Sequence, residues 1–160
     1  MPKKKRPGKD FEKDFIASVP DRCDVTRLKD AGGWSNATNM RFTSKNPCDF
    51  IVWSPIRYAC LGKMYKIELK SVAGKSMPFT NIKPNQFKGL LESDKKGVQS
   101  CIIVNFRGDN ETCIIDIRMM IDHIATCGRK SLSLENAKRI GGTINQTLKR
   151  VRWRYDLEWL

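Results

Sequence analysis

An α/β domain, with a mixed central β-sheet flanked by helices, is the fold class that this sequence of 160 residues predicts. Runs rich in β-branched and aromatic residues read as strands at Asp49 to Trp53, Lys63 to Ser71, Val98 to Phe106 and Thr112 to Ile117. Phe11, Phe15 and Ile16, and later Phe87, Leu90 and Leu91, recur at helical spacing. The order is then helix, strand hairpin, loop, helix, hairpin, helix, which builds helices onto a mixed sheet. Apolar residues make up 40% of the chain, enough for one packed core at a length too short for two ordinary domains.

Each element has its own justification. Residues 1–9 form a charged, proline-punctuated arm containing Lys3, Lys4, Lys5, Arg6 and Lys9, expected to be flexible, and residues 10–160 form the single domain. The first helix runs from Lys9 to about Val19 and places Glu12 beside its apolar face. Pro20 to Thr43 is polar and irregular, with a turn at Gly32-Gly33. Ser54-Pro55 ends the first strand. Val72 to Pro84, with Gly74, Pro78 and Pro84, reads as an ordered loop on the active-site side, and Lys75 and Asn81 within it as DNA contacts. Pro84 opens a helix to about Ser93 with Gln86 in its first turn. Arg107-Gly108-Asp109-Asn110 is the turn of the second hairpin. Helices follow at about Arg118 to Ala125 and near Ser133 to Ile140. The tail run Lys149-Arg150-Val151-Arg152-Trp153-Arg154-Tyr155 alternates at period two, as an extended segment with one basic face.

Charge narrows the partner. Thirty Lys and Arg against seventeen Asp and Glu give a formal net charge of +13, which favours a polyanion, nucleic acid before a membrane surface. No apolar run reaches the roughly 18 residues of a spanning helix, and no apolar secretory segment opens the chain, so a cytoplasmic protein is expected. Lys3 to Arg6 also matches the pattern of a nuclear import signal; as a solvated arm it would contact phosphates. Cys23, Cys48, Cys60, Cys101, Cys113 and Cys127 are scattered singly, and His123 is the one histidine, so reduced core thiols are expected rather than disulfides or a zinc site.

The chemistry concentrates in Asn46-Pro47-Cys48-Asp49-Phe50 and Ile67-Glu68-Leu69-Lys70. Alternation along a strand turns Glu68 and Lys70 to one face and Ile67 and Leu69 to the other. Two carboxylates and an ammonium can then converge around a hard divalent cation such as Mg²⁺, the chemistry of a nuclease. Glu68-x-Lys70 alone is a weak signal, since a structural salt bridge has the same spacing. The conjunction with Asp49 one hairpin earlier is stronger. Glu12 also has a plain reading as a solvated helix residue beside Lys9 and Lys13, and Gln86 as a helix cap.

A glutamate on the first helix, Asp49 opening a strand and then Glu68-x-Lys70 resemble the PD-(D/E)xK nuclease superfamily. Within it the chain resembles the RecU-type Holliday-junction resolvases and their small phage-encoded relatives. Further matching segments are Gly8-Lys9-x-Phe11-Glu12, Phe79-Thr80-Asn81-Ile82 with Gln86, Arg129-Lys130-Ser131-Leu132 and Gly141-Gly142. It departs where the family often has His-Gln and this chain has Asn85-Gln86, and in a short interval from Phe50 to Lys63. The resemblance implies a restriction-endonuclease-like core. It implies Mg²⁺, or Mn²⁺ as a substitute, held by Asp49, Glu68 and Glu12, with Lys70 and Gln86 assisting catalysis. It also implies a homodimer acting on four-way DNA junctions, with Lys3, Lys4, Lys5, Arg6, Lys9, Lys75, Asn81, Lys149, Arg150, Arg152 and Arg154 on the DNA. Trp153, Tyr155 and Trp159 are candidate base-stacking or packing groups. An endonuclease of the same fold cutting linear duplex, and a non-catalytic basic DNA-binding protein, are the alternatives.

Overall fold

The computed structural model describes residues 6–28, 46–55 and 61–160, together with the backbone of 33–34 and 41–42. Lys3, Lys4, Lys5, the Gly32 turn position and Cys60 lie outside the described residues. In chain order the helices are α1 Pro7–Ile16, α2 Pro84–Asp94, α3 Ile117–Thr126 and α4 Leu134–Ile140. The strands are β1 Asp24–Arg27, β2 Gly33–Trp34, β3 Arg41–Phe42, β4 Phe50–Pro55, β5 Gly62–Val72, β6 Ser76–Pro78, β7 Gln99–Phe106, β8 Glu111–Asp116, β9 Ser131–Ser133, β10 Gly142–Ile144, β11 Gln146–Lys149 and β12 Arg152–Tyr155.

The central sheet has the order β1-β4-β5-β7-β8-β10. Its one parallel pair is β5 with β7, reached by a crossover through α2; its other pairs are antiparallel, so the sheet is mixed. Helix α1 covers one face, where Phe11 and Phe15 pack on Phe50, Val52, Ile67, Leu69 and Ile103. Helices α2, α3 and α4 cover the other, where Leu90, Met120 and Ala137 pack on Ile102, Val104, Phe106 and Ile115. Both faces being covered explains the near-continuous apolar run of β7.

Helix ends follow local chemistry. Pro7 stands in the first turn of α1, so this helix begins inside the stretch expected to be a flexible arm; proline loses nothing there because its missing N–H would be unpaired anyway. The Asp116 side chain accepts from Arg118 N at 2.8 Å to cap α3, and Ser133 Oγ accepts from Asn136 N at 3.2 Å to cap α4.

Several segments differ from expectation. Pro20 to Thr43 is not wholly irregular: β1 pairs along β4, with Val25 opposite Val52, and β2 pairs with β3. As a mostly exposed edge strand with a single apolar residue, β1 carries no alternation for a reader to find. The loop after β5 contains β6, which pairs with β9, and a 3₁₀ turn at Phe79–Asn81. The tail is a hairpin of β11 and β12 rather than one extended segment. Cys23, Cys48, Cys101, Cys113 and Cys127 are free thiols, and burial pushes Cys48 and Cys113 up to about 11 and Cys101 to about 12. No helix among the described residues is long and apolar enough to cross a membrane.

Candidate active site at the β4–β5 corner

The register of β4 on β5 sets Phe50 opposite Ile67, so Asp49, the residue before β4, enters beside Glu68. Asp49 N donates to Ile67 O at 3.1 Å, and Leu69 N donates to Asp49 Oδ2 at 2.8 Å. The Asp49 carboxylate is thereby pinned over the β5 backbone. Glu68 projects from the middle of β5 onto the α2 face and is only 1% exposed. Its Oε1 accepts from Lys70 Nζ at 2.6 Å and from Gln86 Nε2 at 2.5 Å. Its Oε2 is buried and has no hydrogen-bond partner among the described residues. Burial, and then the negative charge of Asp49, push the Glu68 carboxyl up to about 7, against the opposing pull of Lys70 and Gln86.

Helix α2 roofs this corner, and three contacts place it. Gln86 Oε1 accepts from Lys83 N at 2.9 Å, closing the first turn, and from Lys70 Nζ at 3.3 Å. One amide therefore caps the helix and holds both Glu68 and Lys70, so the two readings of Gln86 are not exclusive. Asn85 Nδ2 donates to Asn46 O at 3.0 Å, which ties the helix to the segment leading into Asp49. At Gly89 a Cβ would fall 2.3 Å from Pro47 Cβ, so only glycine permits this approach. Asn46 and Asn85 stand in segments that the sequence singles out, but their contact and the role of Gly89 are not visible there; a glycine inside a helical pattern is the available signal. Lys66, two residues before Glu68 on the same face, was also missed, and it donates to Ser93 Oγ at 2.7 Å.

The structure groups Asp49, Glu68, Lys70 and Gln86. It does not group Glu12 with them: the Glu12 carboxylate accepts from Arg27 Nε at 2.9 Å and lies 2.6 Å from Arg27 NH2, on the helix that covers the opposite face. Among the described residues no three His, Cys, Asp or Glu side chains stand close enough together to hold a metal ion. The donors present are nonetheless all carboxylate oxygens, and one of them is buried without a partner. Leaving such a group unmade costs about 1–3 kcal/mol, and more when it is charged. A divalent cation shared by Asp49 and Glu68 would supply the missing partner and offset the repulsion between the two carboxylates. The residues fit the ion.

The candidate DNA contacts are spread over the surface. Arg6 and Lys9 are exposed at the start of α1, Lys75 is exposed and lies 3.5 Å from Asp109, and Asn81 is exposed in the 3₁₀ turn. Lys149 and Arg150 are exposed at the β11–β12 turn. Arg152 instead lies 3.3 Å from Asp14 and 3.6 Å from Asp10, so this arginine of the expected basic face docks the hairpin onto α1, whereas Arg154 Nη1 donates to Trp153 O at 3.2 Å within the hairpin itself. Tyr155 is buried against Phe11 at a ring separation of 5.4 Å and cannot stack on a base. Trp159 packs edge-on to Tyr65 at 5.8 Å.

A mixed sheet with a carboxylate pair and a lysine at the corner of two antiparallel strands defines a restriction-endonuclease-like nuclease. The structure of Archaeoglobus fulgidus Hjc, a Holliday junction resolvase from an archaeal hyperthermophile, shares this fold with a TM-score of 0.55 at 14% identity, over 84% of this chain and 93% of that one. The model of the family RecU, Recombination protein U, matches residues 25–153, and the chain belongs to that family of Holliday-junction resolvases, which hydrolyse DNA phosphodiester bonds with divalent metal ions. The match contains Asp49, Glu68, Lys70 and Gln86 and begins after Glu12. No curated protein matches the chain.

Proposed function

We propose that this chain resolves four-way DNA junctions by paired, symmetrical nicks, with Mg²⁺ as its ion and Mn²⁺ as a working substitute. The buried, partnerless oxygen of Glu68 beside Asp49 is the observation that supports this reading. Asp49 and Glu68 are the metal ligands, and Glu12 joins them on release from Arg27. When bound, Mg²⁺ polarises the scissile phosphate and lowers the pKa of the attacking water. Lys70, held 2.6 Å from Glu68, orients that water and neutralises charge developing on the phosphorane. Gln86 fixes both Glu68 and Lys70 in place. Arg6, Lys9, Lys75, Asn81, Lys149 and Arg150 track phosphates, joined by Lys3, Lys4 and Lys5 from the arm, by Arg154, and by Arg152 where it faces the backbone.

Resolution requires cuts in two opposing strands, and a C2 homodimer supplies two sites related by the junction's own symmetry. The reaction belongs in the cytoplasm of a bacterial host, where junctions arise. End-labelled four-way junctions and matched linear duplexes, incubated with Mg²⁺, Mn²⁺ or EDTA, test the proposal. Symmetrical nicks in the junction alone, absent in EDTA, are expected; equal cutting of the linear duplex, or no cutting with either metal, overturns it.

A further inference from the structure

The β11–β12 hairpin carries a feature that folding does not explain. Lys149 pairs with Arg152, which leaves Arg150 and Val151 as a two-residue loop. Two-residue loops favour Gly, Asn or Asp where φ is positive. Here an arginine takes φ 56°, whereas the turn between β7 and β8 gives its φ of 53° to Asn110, a residue that tolerates it. Beside Arg150, Val151 is 87% exposed, more than any other large apolar residue among those described, and Leu148 is 53% exposed. An unfavourable turn that displays an aliphatic side chain to solvent points to a use outside the fold.

The root of the hairpin, by contrast, is firmly held. Asp14 accepts from Trp153 N at 3.2 Å and from Arg152 NH1 at 3.3 Å, Ser18 Oγ accepts from Tyr155 N at 3.0 Å, and Tyr155 is buried. A tip on such a base can push without folding back. Its surroundings select the partner: Lys149 and Arg150 are exposed beside the apolar tip, on a chain of net charge +13. Basic flanks around an aliphatic point are what DNA-bending proteins use to part stacked bases, and parting costs least where stacking is already interrupted.

We propose that Val151 is a wedge that inserts between bases at the branch of a DNA junction while Lys149 and Arg150 hold the adjoining phosphates. This rests on the branched-DNA reading above and adds to it the element that distorts the branch. In the test, four-way junctions carry 2-aminopurine either at the branch or in the middle of an arm, and the full chain is added with Ca²⁺ in place of Mg²⁺ so that strands stay intact.

At saturation the wild-type chain should raise the branch-probe fluorescence several-fold and leave the arm probe unchanged. Val151→Ser should bind with a Kd within about threefold of wild type, since phosphate contacts carry the affinity, yet leave the branch probe quenched. Arg150→Gly, which relieves the positive φ, should keep the fluorescence rise without lowering the thermal midpoint but reduce the slope of log K against log salt by about one unit. A flat signal with saturating wild type, or an undiminished signal with Val151→Ser, overturns the wedge alone. Equal affinity for junction and linear duplex overturns the branched-DNA reading and the wedge with it.

Discussion

Lys70 and Ser71 are neighbours on β5 and face opposite ways, and the polar groups around them are handled differently. On the α1 face Ser71, Asn105 and Thr112 stand side by side in register across three strands. Arg107 NH1 donates to Ser71 Oγ at 2.8 Å, Asn105 Nδ2 to Thr112 Oγ1 at 2.9 Å, Thr112 Oγ1 to Gln146 Oε1 at 2.5 Å, and Gln146 Nε2 to Asn110 O at 2.8 Å. With Ser71 Oγ donating to Asn105 Oδ1 at 3.4 Å, that row is a continuous hydrogen-bonded chain and serves the fold. On the α2 face Glu68 is as deeply buried, yet one oxygen is left without a partner among the described residues and its charge is opposed by Asp49. Asp109 Oδ2 and His123 Nε2 are also buried without a partner among the described residues, so it is the second carboxylate beside Glu68, together with the orphaned oxygen, that marks this face for chemistry.

The largest effect that would sharpen this contrast is the loss of cleavage. Asp49→Asn or Glu68→Gln should each reduce metal-dependent nicking by about 10³-fold or more while junction binding in EDTA is kept or tightened, because the phosphate meets less negative charge. The same Glu68→Gln should raise metal-free stability above neutral pH, where burial disfavours the carboxylate. A urea midpoint lower than wild type at pH 8 would break the comparison.

Next in size, Lys70→Met should slow single-turnover nicking by about 10²–10⁴-fold with little change in junction Kd. A defect confined to Kd would make Lys70 a phosphate contact only. On the satisfied face, Thr112→Val should cost about 1–3 kcal/mol in denaturant unfolding, because it strands Asn105 and Gln146, and should leave the nicking rate of the folded chain unchanged. A slowed rate at full folding would join the two faces into one functional unit.

The smallest effect is in pH. Glu68 is raised from an ordinary 4.5 to about 7, so its neutral form is the one the metal-free fold prefers. The stability it contributes is complete below about pH 4.5 and is lost as pH rises through about 7. Thermal midpoints should therefore fall across that window without metal, and the fall should shrink in saturating Mg²⁺, which binds the carboxylate form. Identical slopes with and without Mg²⁺ would remove Glu68 from the ligand set.

By itself the sequence determined the strands β4, β5, β7 and β8 and the helix α2, because long apolar runs and a proline start are local signals of burial and capping. It also determined that Asp49, Glu68 and Lys70 meet, since a hairpin and a period of two leave one face on which they can. Tertiary structure decided how that face is roofed: Gln86, which the family resemblance brings to the site, and Gly89 reach it through a crossover whose path no spacing records. It decided that Glu12 turns to Arg27 on β1, an exposed edge strand with one apolar residue to announce it, and that Arg152 and Tyr155 hold the tail hairpin to the domain. Periodicity says which side chains share a surface; what comes to lie on that surface depends on residues far along the chain.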